Sequence, residues 1–195
     1  MNKIKLKTII NILKQIDEIK LNGITYDGKI IETDRLYINQ KFDESIKYKI
    51  PDDYIYQSPE QTRKYKIGMC DSIAALIADD CKNNNIQTVG FVTVCNGIPI
   101  EKSSHFVVFC KTGSYWIRGD MSFDFSKTHG FYKGFKRSLI KVLDDYYIWA
   151  KFILNAKKGI KLYKYNPLSS KYYGMSFWET IKNIVVESNL FIEIV

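Results

Sequence analysis

Residues 66–81 read KIGMCDSIAALIADDC, and this stretch predicts a helix that begins near a cysteine. Apolar residues recur at the spacing of a helix face, at Ile73, Leu76 and Ile77. The alanines between them favour helix formation, and Gly68 allows a sharp turn just before the helix. We therefore expect Cys70 in the first helical turn. There the backbone N–H groups and the positive end of the helix dipole stabilise a thiolate and can hold an oxyanion.

Three strands are predicted after this helix, because β-branched and aromatic residues fill 86–95, 104–110 and 115–118. The polar residues 111–114 predict a hairpin turn between the second and third strands. A turn centred there would place His105 opposite Asp120. Residues opposite each other in an antiparallel pair have Cβ atoms roughly 4.5–5.5 Å apart, so the two side chains could form a hydrogen bond.

Cys70, His105 and Asp120 together predict a catalytic triad. The thiolate attacks, the imidazole activates it and later protonates the leaving group, and the carboxylate orients the imidazole. His129 and Asp124 are the reserve candidates for the base and the orienting carboxylate. Taken singly, such a cysteine is often a buried small hydrophobe and such a histidine is often structural. The combination favours catalysis, because the chain has only two histidines.

These motifs resemble the transglutaminase-like core of the papain-type cysteine-enzyme superfamily. The residues that carry the resemblance are Gly68-x-Cys70 opening a helix, then His105, then Gly113-x-x-Trp116-x-x-x-Asp120-x-Ser122. It covers about residues 65–125, roughly a third of the chain. The resemblance implies an α+β fold in which the Cys-bearing helix packs on an antiparallel sheet. It also implies acyl-transfer chemistry on amide or ester substrates, with no cofactor.

Three positions depart from the family pattern. Phe106 stands where a small residue usually follows the histidine, and Met121 stands where a proline frequently follows the aspartate. No tryptophan precedes Cys70, so the side-chain oxyanion donor of animal transglutaminases has no counterpart. The resemblance therefore implies hydrolysis, as by a protease, amidase or deamidase, in preference to crosslinking.

The polar, tyrosine-rich residues 44–65 are predicted to form a loop or short helices leading to Cys70. In papain-like enzymes this approach often builds one wall of the substrate cleft. The candidates for such a wall are Tyr54, Tyr56, Gln57, Gln61 and Tyr65. A glutamine among them could be the oxyanion donor, and Trp116 is a further cleft candidate. For each residue of the 44–65 segment, an ordinary surface loop is the favoured interpretation.

The composition is that of one globular domain: 195 residues, of which 46% are hydrophobic and 26% are charged. No apolar run is long enough for a membrane span, and no secretory signal pattern is visible, so a reducing, cytoplasmic location is expected. The cysteines lack zinc-site spacing, so no metal is expected. The three cysteines other than Cys70 are predicted to be buried thiols, namely Cys81, Cys95 and Cys110.

The remaining segments add elements at both ends of the chain. Amphipathic helices are predicted at 3–21 and 136–156, and an Asp-Gly hairpin at 23–31. An alternating strand is predicted at 160–165. Ser176 and Glu179 form a capping-box motif that opens a helix to about Glu187, and a closing strand follows at 190–195. The single domain thus comprises an N-terminal helix, the core at about 65–125 and a basic helical part at 131–195.

The basic part supplies a second hypothesis. Residues 131–171 hold ten Lys or Arg and two Asp, a net charge of +8 that equals the charge of the whole chain. Aromatic residues are interleaved with the lysines, which is typical of a surface for nucleic acid. The alternative function is therefore a catalytically inactive transglutaminase-like fold that binds nucleic acid or another anionic partner. Most of these aromatics lie on the apolar face of the predicted helix, where core packing is expected, so a protein or peptide substrate is favoured over nucleic acid.

Overall fold

The computed structural model describes residues 2–16, 18–19, 22–25, 29–32, 37–38, 41–42, 54–96, 104–119 and 159–194. The helices within these ranges are α1 (Lys3–Ile16), α2 (Pro59–Tyr65), α3 (Cys70–Asn83) and α4 (Phe177–Glu187), with a short 3-10 helix at Ser170–Tyr172. The strands are β1 (Asn22–Ile24), β2 (Ile30–Glu32), β3 (Tyr37–Ile38), β4 (Lys41–Phe42), β5 (Thr88–Cys95), β6 (His105–Thr112), β7 (Tyr115–Gly119), β8 (Ile160–Tyr165) and β9 (Leu190–Ile194).

Five of the strands form one antiparallel sheet in the order β7-β6-β5-β8-β9. The strands β1 and β2 pair with each other, as do β3 and β4. Helices and antiparallel strands alternate irregularly along the chain, which is the α+β class that the sequence predicts. The Cys-bearing helix α3 packs on the sheet, also as predicted.

One face of the sheet forms the main core with α3. Phe106, Val108 and Cys110 of β6 belong to the same buried cluster as Ile73 and Ile77 of α3, together with Val92 of β5 and Ile117 of β7. The helix lies close to the sheet at Gly119, where an added Cβ atom would be only 3.2 Å from the Ile77 Cγ2 atom. Replacing a fully buried isoleucine here by alanine would cost about 2–5 kcal/mol.

The opposite face of the sheet carries the alternate residues of each strand, since successive side chains point to opposite sides. Phe91, Val107, Phe109 and Leu162 lie on this second face and are fully buried. The Phe91 and Phe109 rings meet edge to face, with centroids 5.8 Å apart. Both faces of the central strands are therefore removed from water.

The helix α3 and the strand β6 run in the same direction, since Ile77 and Val108 both lie against Gly119 and, further along both elements, Cys81 lies beside Cys110. Near their C-terminal ends the Cys81 and Cys110 sulfur atoms are 3.5 Å apart. Going back to Cys70 covers eleven helical residues, or roughly 16 Å, and going back to His105 covers five strand residues, or roughly 16 Å. The first residue of α3 and the first residue of β6 therefore lie at the same end of the sheet.

The β6–β7 hairpin differs from the predicted register. Thr112 pairs with Tyr115, so the loop contains only Gly113 and Ser114. Gly113 has a φ of 65°, a left-handed conformation that glycine adopts readily at the first position of such tight loops. The predicted turn over 111–114 was too wide. The observed register, in which Val108 pairs with Gly119, is displaced by two residues from the one that set His105 opposite Asp120.

The terminal elements largely follow the sequence. The N-terminal helix ends at Ile16, earlier than the predicted residue 21, and it buries Ile9, Ile12, Leu13 and Ile16. At α4 the predicted capping box is present, with Ser176 and Glu179 each bonded to the other's backbone. The strand β8 forms where alternation predicts it, and β9 forms at the predicted closing strand. The helix predicted at 136–156 lies outside the described residues.

Candidate functional site

Cys70 occupies the first position of α3, as the sequence predicts. The preceding residue is Met69, whose extended backbone begins the helix and whose side chain has no oxygen to cap the first turn. Cys70 is half-buried, whereas Cys81, Cys95 and Cys110 are buried. Cys70 is therefore the cysteine that combines partial exposure with the electrostatic environment of a helix N-terminus, which favours the thiolate.

His105 is the first residue of β6 and is only 2% exposed. It pairs with Thr93 of β5. The next residue, Phe106, points into the core beneath α3, where its ring contacts those of Tyr56 and Phe177. The Cα–Cβ bond of His105 therefore leaves the sheet on the face opposite α3. His105 and Cys70 lie at the same end of the sheet. Because the His105 side chain starts on the far face, its imidazole would have to turn round the end of β6 to contact Cys70.

Asp120 follows the last residue of β7 and lies outside the described residues, as do His129 and Asp124. The described part of the hairpin still constrains the triad hypothesis. Gly119 faces α3, because a Cβ atom there would contact Ile77 and Val108. The predicted register with His105 directly opposite Asp120 is wrong, since the observed pairing is displaced by two residues.

Gln57 and Gln61 both hold the backbone of the segment that leads to Cys70. Gln57 is fully buried, and its side-chain Nε2 donates to the Ile67 carbonyl at 3.1 Å. The Gln61 Oε1 atom accepts a hydrogen bond from the Ser58 N–H at 2.9 Å, which completes the capping box of α2. Both glutamines therefore stabilise the approach to Cys70. The burial of Gln57 contradicts its prediction as a cleft residue, whereas the half-buried Gln61 keeps its place as a cleft candidate beside its role as a helix cap.

The aromatic cleft candidates lie in three different environments. Tyr54 and Tyr56 are fully buried in the core, contrary to the prediction of a cleft wall. Tyr65, the last residue of α2, is 47% exposed and lies beneath the Lys64 ammonium. Trp116 pairs with Lys111 on the face of the sheet opposite α3, and the Lys111 ammonium is 5.7 Å from its ring centroid.

Trp116 also lines a cavity of about 590 Å³ at the far end of the sheet. The cavity is bounded by the start of β5, the end of β8 and the end of α4; its lining includes Gln87, Lys164, Asn166, Lys171 and Glu187. The start of β5 lies beside Cys110, at the end of β6 away from His105. Trp116 therefore belongs to a separate concave surface and not to the Cys70 site.

Asp71 is the residue that the sequence interpretation missed. Its side chain is fully buried directly after Cys70, and its Oδ1 atom accepts hydrogen bonds from the Tyr54 hydroxyl and, at 2.6 Å, from the Ser72 N–H. Burial raises the pKa of this carboxyl from 3.8 to about 6, although the hydrogen bonds from Tyr54 and Ser72 act in the opposite direction. The signal in the sequence was its helical spacing with Ala74, Ala75 and Ala78, a face of small residues that indicates close packing.

A scan against protein-family models and searches of curated proteins and of solved structures found no match to this chain. Within the described residues, no three His, Cys, Asp or Glu side chains are grouped as a metal ion requires. No helix in the described ranges has the length and apolar character needed to cross a membrane. The chemistry of the site is therefore inferred from Cys70 and its neighbours.

Proposed function

We propose that this chain is a cysteine-dependent acyl-transfer enzyme of the transglutaminase-like, papain-type class, hydrolysing or transferring an amide or ester group. The observation that carries the proposal is the position of Cys70, a half-buried thiol at the first residue of a helix packed on an antiparallel sheet. At that position the helix dipole favours the thiolate, and the backbone N–H groups can stabilise the oxyanion formed on attack.

In the proposed reaction Cys70 attacks the carbonyl carbon, and His105 takes the thiol proton and delivers it to the leaving group. Asp120 orients the imidazole and stabilises its charged form. Cys70 and His105 start elements that run side by side, which supports their pairing. Because the Cα–Cβ bond of His105 leaves the sheet on the face opposite α3, this pairing requires the imidazole to turn round the end of β6 toward Cys70. A protein or peptide amide is the substrate class that this chemistry favours. Water as the acceptor would give a protease, amidase or deamidase.

The test is the pH dependence of Cys70 alkylation by iodoacetamide, resolved from the other three cysteines by peptide mass spectrometry. In the wild type we expect Cys70 to react fast well below the ordinary thiol pKa of about 8.5, and we expect His105→Ala to remove this reactivity at low pH. Buried Cys95 is the matched internal control. A Cys70 profile that His105→Ala leaves unchanged would contradict the proposed ion pair.

A second candidate function, binding of an anionic partner, is favoured by the cavity beside Trp116. Its lining offers an aromatic ring and the Lys164 ammonium, the two features with which proteins hold single-stranded nucleic acid. Two other lysines of this region are paired, Lys161 with Glu193 and Lys171 with Glu187. Seven of the ten basic residues at 131–171 lie outside the described residues.

Fluorescence anisotropy with a labelled oligothymidylate tests this second function. Binding through the basic part should weaken steeply with salt, weaken in Trp116→Ala, and be indifferent to Cys70→Ala. Salt-independent binding, or none at low salt, would remove this candidate.

A further inference from the structure

A buried hydrogen-bonded cluster lies directly behind Cys70. The Tyr54 hydroxyl donates to the Asp71 Oδ1 atom and lies 2.9 Å from the Ser72 Oγ atom. The Ser72 Oγ atom also lies 3.1 Å from Asp71 Oδ1, and it accepts the Gln57 N–H at 3.1 Å. Tyr54, Gln57, Asp71 and Ser72 are all fully buried. The cluster therefore joins the segment before α2 to the two residues that follow Cys70.

The two carboxyl oxygens of Asp71 differ in their hydrogen bonding. The Oδ1 atom receives the donors of the cluster, but the buried Oδ2 atom has no hydrogen-bond partner in the part of the chain that the structure describes. The Gln57 Oε1 atom is in the same condition. An ionised carboxylate with one unsolvated oxygen is costly in a protein interior, whereas the neutral acid is tolerated. The geometry thus accounts for the pKa of Asp71 near 6.

Within the described residues, the titratable groups that face Asp71 come from three elements. Tyr54 and Tyr56 come from the segment before α2, Tyr165 comes from β8, and Cys70 lies on the same helix. Burial raises the pKa of each of the three tyrosines well above its ordinary value, so they remain neutral. From β6 the core receives the uncharged Phe106. Among these groups, Asp71 is therefore the one that can change charge between pH 5 and 7. His105, the proposed base, is the further group that exchanges a proton with Cys70 in the proposed reaction.

We propose that Asp71, held by Tyr54 and Ser72, is a positioning residue that fixes the first turn of α3 and controls how readily the neighbouring Cys70 thiol ionises. This deepens the proposed function and rests on Cys70 being the nucleophile. The neutral acid leaves the field of the helix N-terminus intact at Cys70. The ionised carboxylate is a negative charge on the residue next to Cys70, and it disfavours the Cys70 thiolate. Asp71 thus acts on the reaction through Cys70, without contacting the substrate.

The test is the pH profile of Cys70 alkylation in Asp71→Asn, Tyr54→Phe and the matched control Tyr56→Phe. The wild-type rate should rise less steeply above about pH 6, where Asp71 ionises. Asp71→Asn should remove this break and raise the rate at pH 7 about tenfold. Tyr54→Phe deletes one hydroxyl donor and should move the break to higher pH. Tyr56 is equally buried, but its hydroxyl donates to the Pro167 carbonyl, so Tyr56→Phe should keep the wild-type break.

A purely structural role would change stability without moving the break, so each variant is also checked by far-UV circular dichroism and thermal unfolding. Should Asp71→Asn not fold, Tyr54→Phe decides the matter, because it retains the ring and its packing. An unchanged break in Tyr54→Phe, or an equal displacement in Tyr56→Phe, would overturn the proposal. Repeating the series in a His105→Ala background separates it from the triad. A break that survives there belongs to Asp71, whereas loss of fast Cys70 reactivity there reports on His105.

Discussion

The two ends of α3 each bring a cysteine to the sheet, but in opposite environments. At the N-terminal end Cys70 is half-buried beside a polar cluster of tyrosine, aspartate and serine. At the C-terminal end Cys81 and Cys110 are fully buried against each other, and their hydrogen bond and burial raise the pKa of Cys110 well above its usual range. The same side chain is thus partly exposed at a helix N-terminus at one end and buried in the core at the other. Position on the helix and exposure make the difference.

The largest expected effect comes from removing the cysteine at each end of α3 in turn. We expect Cys70→Ala to lower esterase activity on p-nitrophenyl acetate about a thousandfold or more, because the nucleophile is lost. The control Cys81→Ala should keep the activity per folded molecule. If Cys81→Ala abolished activity in a folded protein while Cys70→Ala did not, the assignment of the nucleophile would be wrong.

At the N-terminal end of α3, Asp71 should make the free energy of unfolding depend on pH. The folded pKa of Asp71 is raised, so the folded state holds this proton more tightly than the unfolded state. Its contribution to the free energy of unfolding is fully present below about pH 4 and is lost as the pH rises through about 6, and the total loss is about 3 kcal/mol. Urea unfolding of the wild type and of Asp71→Asn between pH 4 and 7 measures this. The difference between the two free energies of unfolding should change by that amount, and a constant difference would contradict the raised pKa.

Substitutions at the C-terminal end of α3, where Cys81 and Cys110 are buried, should change only the stability of the fold. Cys110→Ala removes a buried sulfur atom and leaves a small cavity beneath α3, so we expect a loss of about 1–2 kcal/mol in the free energy of unfolding. Cys70→Ala, at a half-buried position, should cost less than about 1 kcal/mol. Urea denaturation of both variants at one pH compares them directly. Equal losses at both positions would weaken the contrast between the two ends.

The smallest effect concerns the approach to the polar end. Gln61→Ala removes half of the capping box of α2 and should cost about 1 kcal/mol of stability. Because the Gln61 side chain is bonded to the backbone at the start of α2, the alkylation rate of Cys70 should stay within about twofold of the wild type. A large fall in Cys70 reactivity without loss of folding would favour Gln61 as the oxyanion donor.

Much of the architecture could be predicted because it depends on local rules. The apolar spacing around Ile73 and Leu76 and the glycine before the helix located the start of α3. Ser176 and Glu179 located α4, since a capping box satisfies backbone groups through side chains only three residues apart. The strands β5 to β7 followed from β-branched and aromatic runs, and β8 followed from the alternation of apolar and polar residues. In each case the decisive contacts lie within one element.

The site was harder to predict, because its geometry depends on contacts between elements. The observed loop begins two residues later than the predicted turn and ends at the same residue, so every cross-strand pair is displaced by two residues. Nothing in residues 111–114 distinguishes the two-residue loop from the longer one. Whether His105 or Phe106 points toward α3 depends on which strand face meets the helix. Both faces of β6 are apolar, so their alternation carries no signal.

By itself, the sequence determined that a cysteine opens an amphipathic helix, that antiparallel strands follow, and that three further thiols are apolar core. These features depend on short-range periodicity and on backbone hydrogen bonding. Only the tertiary structure decided that Asp71 is buried against Tyr54, that Gln57 is a core residue, and that Trp116 lies on the far face with its own cavity. The physical reason is that desolvation and pairing are properties of the packed neighbourhood, and the residues that meet at Asp71 come from segments seventeen positions apart in the chain.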